Sequence, residues 1–229
     1  MCISKLRTLI PGKIWVAVLG FTGMGIFQAA AVPVTVQETG IGANEVVQIT
    51  SSTLGTQWVY AGTVNLLVNG TAEQGFCIDP FHWSISGPQA YNSESLGVGP
   101  KSPGGPMGAA TALKIEQLWA QYYSPTLNNQ NAAGLQIAIW DLVGGSNFQL
   151  DSSPDYGAAD MLTWVNNNPT ATAADLIAVT GPGQDYVIPN GPNIPRSVPD
   201  GGTTVLLLGM GFASLVVLRS KYLAVASSK

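Results

Sequence analysis

The chain has 229 residues, 46% of them hydrophobic and only 10% charged, with a formal net charge of −4 at neutral pH. Between Val32 and Val198 only Lys101, Lys114 and Arg196 stand against twelve carboxylates, a balance that argues against nucleic acid or any other polyanion as partner. With the apolar ends set aside, about 165 residues remain, enough for one domain with its own core, and no internal repeat points to two.

In chain order, a short basic start (Lys5, Arg7, Lys13) precedes an uncharged apolar run from Ile14 to Phe27, then Ala29 and Ala31 at small-residue cleavage positions. This reads as a secretory signal peptide over 1–31, with an uncleaved anchor as the alternative. Either version exports the body. The segments "NEVVQITSS" and "TQWVYAGTVNLLVNGTAEQGFCID" are rich in β-branched and aromatic residues, and Asn69-Gly70 stands between two such runs as a two-residue hairpin turn. Cys77 is then expected at the far end of the second hairpin strand. After the loop "GVGPKSPGGP" the pattern becomes helical: a first helix starts near Pro106, presents Ile115, Leu118, Trp119 and Tyr122 on one face, and stops before Pro125. A second covers "NAAGLQIAIWDLV" with Leu135, Ala138, Ile139 and Leu142 in phase; a third covers "DYGAADMLTWVNN" with Met161, Leu162 and Val165 inward.

A last short strand is expected from Asp185 to Ile188. The fold class is therefore α+β: an N-terminal β-rich half, a small helical subdomain and a closing strand, flanked by terminal hydrophobic helices. The ectodomain is assigned to 32–190, a Gly/Pro-rich stalk to 191–202, a hydrophobic segment to 203–221 and a tail to 222–229.

The C-terminal stretch "VPDGGTTVLLLGMGFASLVVLRSK" joins a turn-forming motif to an apolar run from Val205 to Leu218 and a basic stop at Arg219 and Lys221. It resembles the PEP-CTERM class of exosortase substrates in the variant reading V-P-D-x-G, matched by Val198, Pro199, Asp200 and Gly202. The resemblance implies cleavage near the motif by a membrane-embedded exosortase-type enzyme. It also implies transient anchoring in the inner membrane with the domain in the periplasm, then delivery to the surface or extracellular matrix of a Gram-negative-type bacterium. The tail from Tyr222 to Lys229 is longer than that pattern leads one to expect. Six of the nine Lys and Arg lie in or beside the terminal segments, which keeps both ends on the cytoplasmic side and the body outside.

Cys77 is the only cysteine left once Cys2 departs with the signal peptide, so no internal disulfide can form. On residues alone it is a buried inert thiol, half of an intermolecular disulfide, the nucleophile of a cysteine hydrolase, or one end of a thioester. A hydrolase would draw its imidazole from His82, the only histidine, an awkward five residues along the same segment. The neighbourhoods "GFCIDP" and "AAGLQIAIWDL" resemble bacterial surface thioester domains, which pair an aromatic-Cys block with a Gln block on a helix. Phe76-Cys77 fits the first and Leu135 to Trp140 the second, with Leu135 standing where that family often has Thr. The resemblance implies a Cys77–Gln136 crosslink.

The chemistry asks for such residues. A primary amide is a poor acyl donor, so the fold must supply proximity, and the product must be kept from water. Phe76, Phe81, Trp83 and Trp140 are expected to line the pocket, and Asp79 and His82 to assist proton transfer. The function expected is covalent attachment to an amine or hydroxyl on a host, a cell or matrix polymer, protein or polysaccharide. This is single-use bonding rather than catalysis, with no metal and no cofactor. The alternative is a passive structural component of the biofilm matrix or envelope, with Cys77 and Gln136 packed but never joined.

Overall fold

The computed structural model describes residues 31–100, 105–192 and 194. The signal segment with Ala29, the motif residues Val198, Pro199, Asp200 and Gly202, and the terminal hydrophobic helices fall outside these residues. Among the described residues, no helix is long and apolar enough to cross a membrane.

The β-rich half opens with three strands in succession, β1 (Val32–Ser51), β2 (Gly55–Val68) and β3 (Thr71–Cys77). The turn between β2 and β3 is the expected one: Asn69 and Gly70 take φ of 50° and 81°, the type I′ geometry whose twist matches the flanking strands. Cys77 accordingly ends β3. β1 is much longer than its apolar core "NEVVQITSS" and begins directly after Ala31. Its register shifts twice, between Glu38 and Gly40 and between Ile41 and Asn44. Gly62 on β2 sits against the second shift with φ 155°, where a Cβ would strike the backbone of Ala43 and Asn44.

N-terminal to both shifts, β1 has a neighbour on each edge. Val36 of β1 is opposite Val68 of β2 on one side and opposite Gln89 of β4 (Gln89–Ser95) on the other. β4 pairs with β6 (Leu176–Thr180), β6 with β7 (Tyr186–Pro189), and β7 with β3, every pairing antiparallel. The sheet therefore closes on itself as a six-membered ring, with β5 (Phe148–Leu150) attached to the outer end of β1. Val34, Val36, Leu66, Val68, Tyr91, Ile177, Val179, Tyr186 and Ile188 alternate along their strands and fill its interior.

Outward-facing residues of the same strands meet the helices. Phe76, Ala178 and Val187 pack with Ile115, Leu118 and Trp119 of α1 (Gly108–Tyr122), Leu135 and Ile139 of α2 (Asn129–Gly144), and Met161 and Val165 of α3 (Ala158–Asn167). α2 is the central helix. It is buried continuously from Ala132 to Trp140, starts on Asn128, whose side chain accepts the Asn131 N–H at 2.8 Å, and ends at Gly145 with φ 49°. At Gly134 it runs so close to the Tyr156 carbonyl that no side chain would fit.

Three strands carry too weak a pattern to be expected from sequence. β6 is apolar on both faces, one toward the barrel and one toward the helices, so it shows no alternation. β4 reads as polar because it buries Ser93 and Glu94, the latter accepting the Thr180 hydroxyl at 2.6 Å. β5 has only three residues.

Candidate functional site

β3 and α2 meet at Cys77 and Gln136. A glutamine in the buried stretch of a central helix needs partners for its carboxamide, and it finds them on one residue. The Cys77 N–H donates to Gln136 Oε1 at 3.0 Å, and Gln136 Nε2 donates to the Cys77 carbonyl at 2.7 Å. Hairpin geometry explains why these two backbone groups are available. The two-residue turn makes Val68 and Thr71 a hydrogen-bonded pair, so Glu73, Gly75 and Cys77 all turn their backbone groups toward β2. β2 answers only as far as Thr63 opposite Phe76. The next rung would be Gly62, beside the bulge. The carboxamide of Gln136 takes that rung instead, and so holds its Cδ beside the cysteine.

Around the sulfur, the Asp79 N–H donates to Sγ at 3.2 Å. The indole N–H of Trp140 is buried and closes no hydrogen bond of ordinary geometry with a described residue, yet it stands near enough to the sulfur to favour the thiolate. Burial outweighs both donors and, with the Asp79 and Asp185 charges, pushes the Cys77 thiol well above its ordinary value of about 9. The free thiol is thus protonated and a weak nucleophile.

Gln136 Oε1 already accepts from a backbone N–H. Attack on Cδ would place negative charge on this oxygen, so the Cys77 N–H is positioned as an oxyanion donor.

Cys77, Gln136 and Trp140 lie along a cleft of about 220 Å³, bounded on one side by Trp58, Tyr60 and Gly62 of β2 and on the other by Pro80, His82, Trp83 and Ser84. Asp79 is buried beneath it. Its Oδ1 accepts the Phe81 N–H at 3.0 Å and its Oδ2 lies 2.7 Å from His82 Nδ1. Burial raises the Asp79 pKa, opposed by His82 and the Phe81 N–H. The Asp79–His82 pair is at the cleft, and no hydrogen bond joins His82 to the thiol among those between described residues. Glu38 also lines the cleft, where its Oε2 accepts the buried Tyr186 hydroxyl at 3.0 Å.

Of the four aromatics expected at the pocket, Trp83 and Trp140 line it and two do not. Phe76 is wholly buried on the helical side, edge-on to Trp119 at 5.3 Å and to Tyr123 at 6.2 Å between centroids. Its side chain must point opposite to that of Cys77, since neighbours on a strand face opposite ways. Phe81 is buried beside Gly144 at the end of α2. The expectation for these two is corrected: they wall the site from behind. In their place stand Trp58 and Tyr60, 62% and 59% exposed. Their spacing of two on one strand, separated by buried-side residues in "TQWVYAG", was the available signal for an aromatic outer face. Among the described residues, no group of three or more His, Cys, Asp or Glu is placed to hold a metal ion.

Residues 197–222 match the VPDSG-CTERM motif, which takes in Val198, Pro199, Asp200 and Gly202. The match supports a PEP-CTERM-like sorting signal: it indicates an exported, cell-surface protein, transiently membrane-anchored, and implies processing by an exosortase-type enzyme. No curated protein and no solved structure matches the chain.

Proposed function

We propose that this exported surface protein forms a thioester between Cys77 and Gln136 and uses it to attach covalently to an amine or hydroxyl on a host, a neighbouring cell or the matrix. In formation, the Cys77 sulfur bonds to Gln136 Cδ, the Cδ–Nε2 bond breaks, and the thiol proton leaves with the nitrogen as ammonia. In attachment, the target nucleophile bonds to Cδ, the carbon–sulfur bond breaks, and the sulfur takes the proton released by the nucleophile. His82, paired with Asp79 at the cleft, is the group that would relay that proton. Each molecule reacts once. While transiently anchored, the domain sits on the periplasmic side of a Gram-negative-type envelope, and it attaches only after delivery to the surface.

The observation that carries this reading is the double hydrogen bond between the Gln136 carboxamide and the Cys77 backbone at the floor of an open cleft. It fixes the acyl carbon beside the thiol-bearing residue before any bond forms, the proximity that a poor acyl donor requires. The test is the intact mass of the purified protein. A deficit of one ammonia, absent from Cys77→Ala and from Gln136→Ala, is the expected result. The calculated mass together with a titratable thiol removes the thioester.

The raised thiol pKa also favours a second reading, in which Cys77 is an inert core thiol in a passive matrix or envelope protein. The same mass measurement separates the two.

A further inference from the structure

β2 has an edge that no strand among the described residues covers. Gln48 of β1 lies opposite Trp58, and its backbone faces away from β2, its N–H donating to Ser153 Oγ at 2.7 Å and its carbonyl accepting the Asp151 N–H at 2.9 Å. In an antiparallel pair, opposed residues either both face inward or both face outward. Trp58 therefore turns its N–H and C=O away from β1, and Tyr60, two residues on, does the same. Along that edge β3 is a partner only from Thr63 onward. No hydrogen bond between described residues engages the backbone of Trp58 or Tyr60 on this side. An open strand edge is normally covered, charged or bulged. This one instead borders the cleft that ends at Cys77 and Gln136, and carries two exposed aromatic side chains beside it.

The charge of the cleft selects among occupants. Glu38 lines it, Asp79 lies beneath it, and Lys114, the one Lys or Arg among the described residues, is held elsewhere by Asn166 at 2.8 Å. Acidic groups beside exposed indole and phenol rings suit a cationic side chain.

Resting on the thioester reading, we infer that the free edge of β2 docks an extended peptide segment of a partner protein by strand addition, and that a lysine of that segment is the nucleophile delivered to Gln136 Cδ. The added strand takes the Trp58 and Tyr60 backbone groups and lies along the rung line that runs down to the Gln136 carboxamide. A side chain projecting from it toward the floor reaches the acyl carbon, and Trp58 and Tyr60 flank its path. Attack forms an isopeptide bond and returns the proton to Cys77.

The experiment uses the full chain and the blocked pentapeptide Thr-Val-Lys-Val-Thr in three forms: unmodified, N-methylated at both valines, and N-methylated at the lysine. Binding is measured by calorimetry on Cys77→Ala and Cys77→Ser proteins, which cannot form the bond, and coupling is followed by mass on the wild type, with methylamine and dextran as small-amine and hydroxyl probes. Strand addition predicts that one pattern of methylation weakens binding about tenfold or more while the other leaves it unchanged, because only alternate amides face β2. The unmodified peptide should also couple at least about tenfold faster than methylamine at equal concentration.

Indifference to both methylation patterns overturns the docking even if methylamine adds, as happens if a second copy or the chain's own 195–202 segment already fills the edge. Dextran coupling in preference to peptide overturns the lysine. A wild type with no ammonia deficit that still discriminates the methylated peptides keeps the docking and removes the covalent step.

Discussion

The closed ring and the β1–β2 arm are made from the same two strands, and they differ in what lies beyond their edges. Within the ring each backbone edge meets another strand and the interior holds mostly valine, leucine, isoleucine and tyrosine side chains. Past Thr63, β2 continues along β1 alone among the described residues. The first rung left vacant there goes to a side chain, Gln136, and the following ones meet no strand among the described residues. The ring shows how antiparallel strands remove their own edges by closure. In the arm, a ladder one rung short offers a paired donor and acceptor at a fixed position, and on the proposed reading that is where the chemistry is placed.

The contrast can be broken by substitution on either side. The largest loss is expected within the ring: Leu66→Ala, at a fully buried interior position, should cost about 2–5 kcal/mol in denaturant unfolding, yet leave the ammonia deficit intact in the molecules that fold. Next comes the vacant rung. Gln136→Ala orphans the buried N–H and C=O of Cys77, a loss of about 2–4 kcal/mol, and removes the deficit altogether. If the two variants behave alike on both measures, the rung is only packing.

The smallest effect concerns the sulfur. In protein whose Cys77 is free, for example after methylamine treatment, the folded state keeps its thiol proton above pH 9 while the unfolded chain loses it. Stability therefore falls as pH rises past about 9, and iodoacetamide should label the folded thiol at that pH far more slowly than the urea-unfolded one. Equal labelling rates would contradict a buried, protonated sulfur.

Much of this was legible where the signal is local. The Asn69-Gly70 turn, the position of Cys77 at a strand end, the three helices and the strand before the Gly/Pro-rich stretch all rest on short-range patterns, and α2 indeed carries Gln136 inward. Barrel closure was not, because it depends on pairings such as Val36 with Gln89, on buried polar residues in β4, and on a β6 without alternation. Crowding in sequence also misled: Phe76 and Phe81 flank Cys77 in the chain, but strand alternation sends Phe76 to the helices and the turn after Asp79 buries Phe81. A side chain that substitutes for a strand leaves no mark in sequence, since any buried glutamine on a helix reads alike.

The pairing of Cys77 with Tyr186 has a mechanical consequence. β7 is the last strand among the described residues, so tension applied to the chain beyond Pro189 enters the fold at β7. A load pulling outward on Gln136 would be resisted at α2, and only the end of β3 separates the two points of application. Force would thus cross the molecule by its shortest route and leave most of the barrel unstressed, much as a rivet placed beside a hinge spares the rest of the plate.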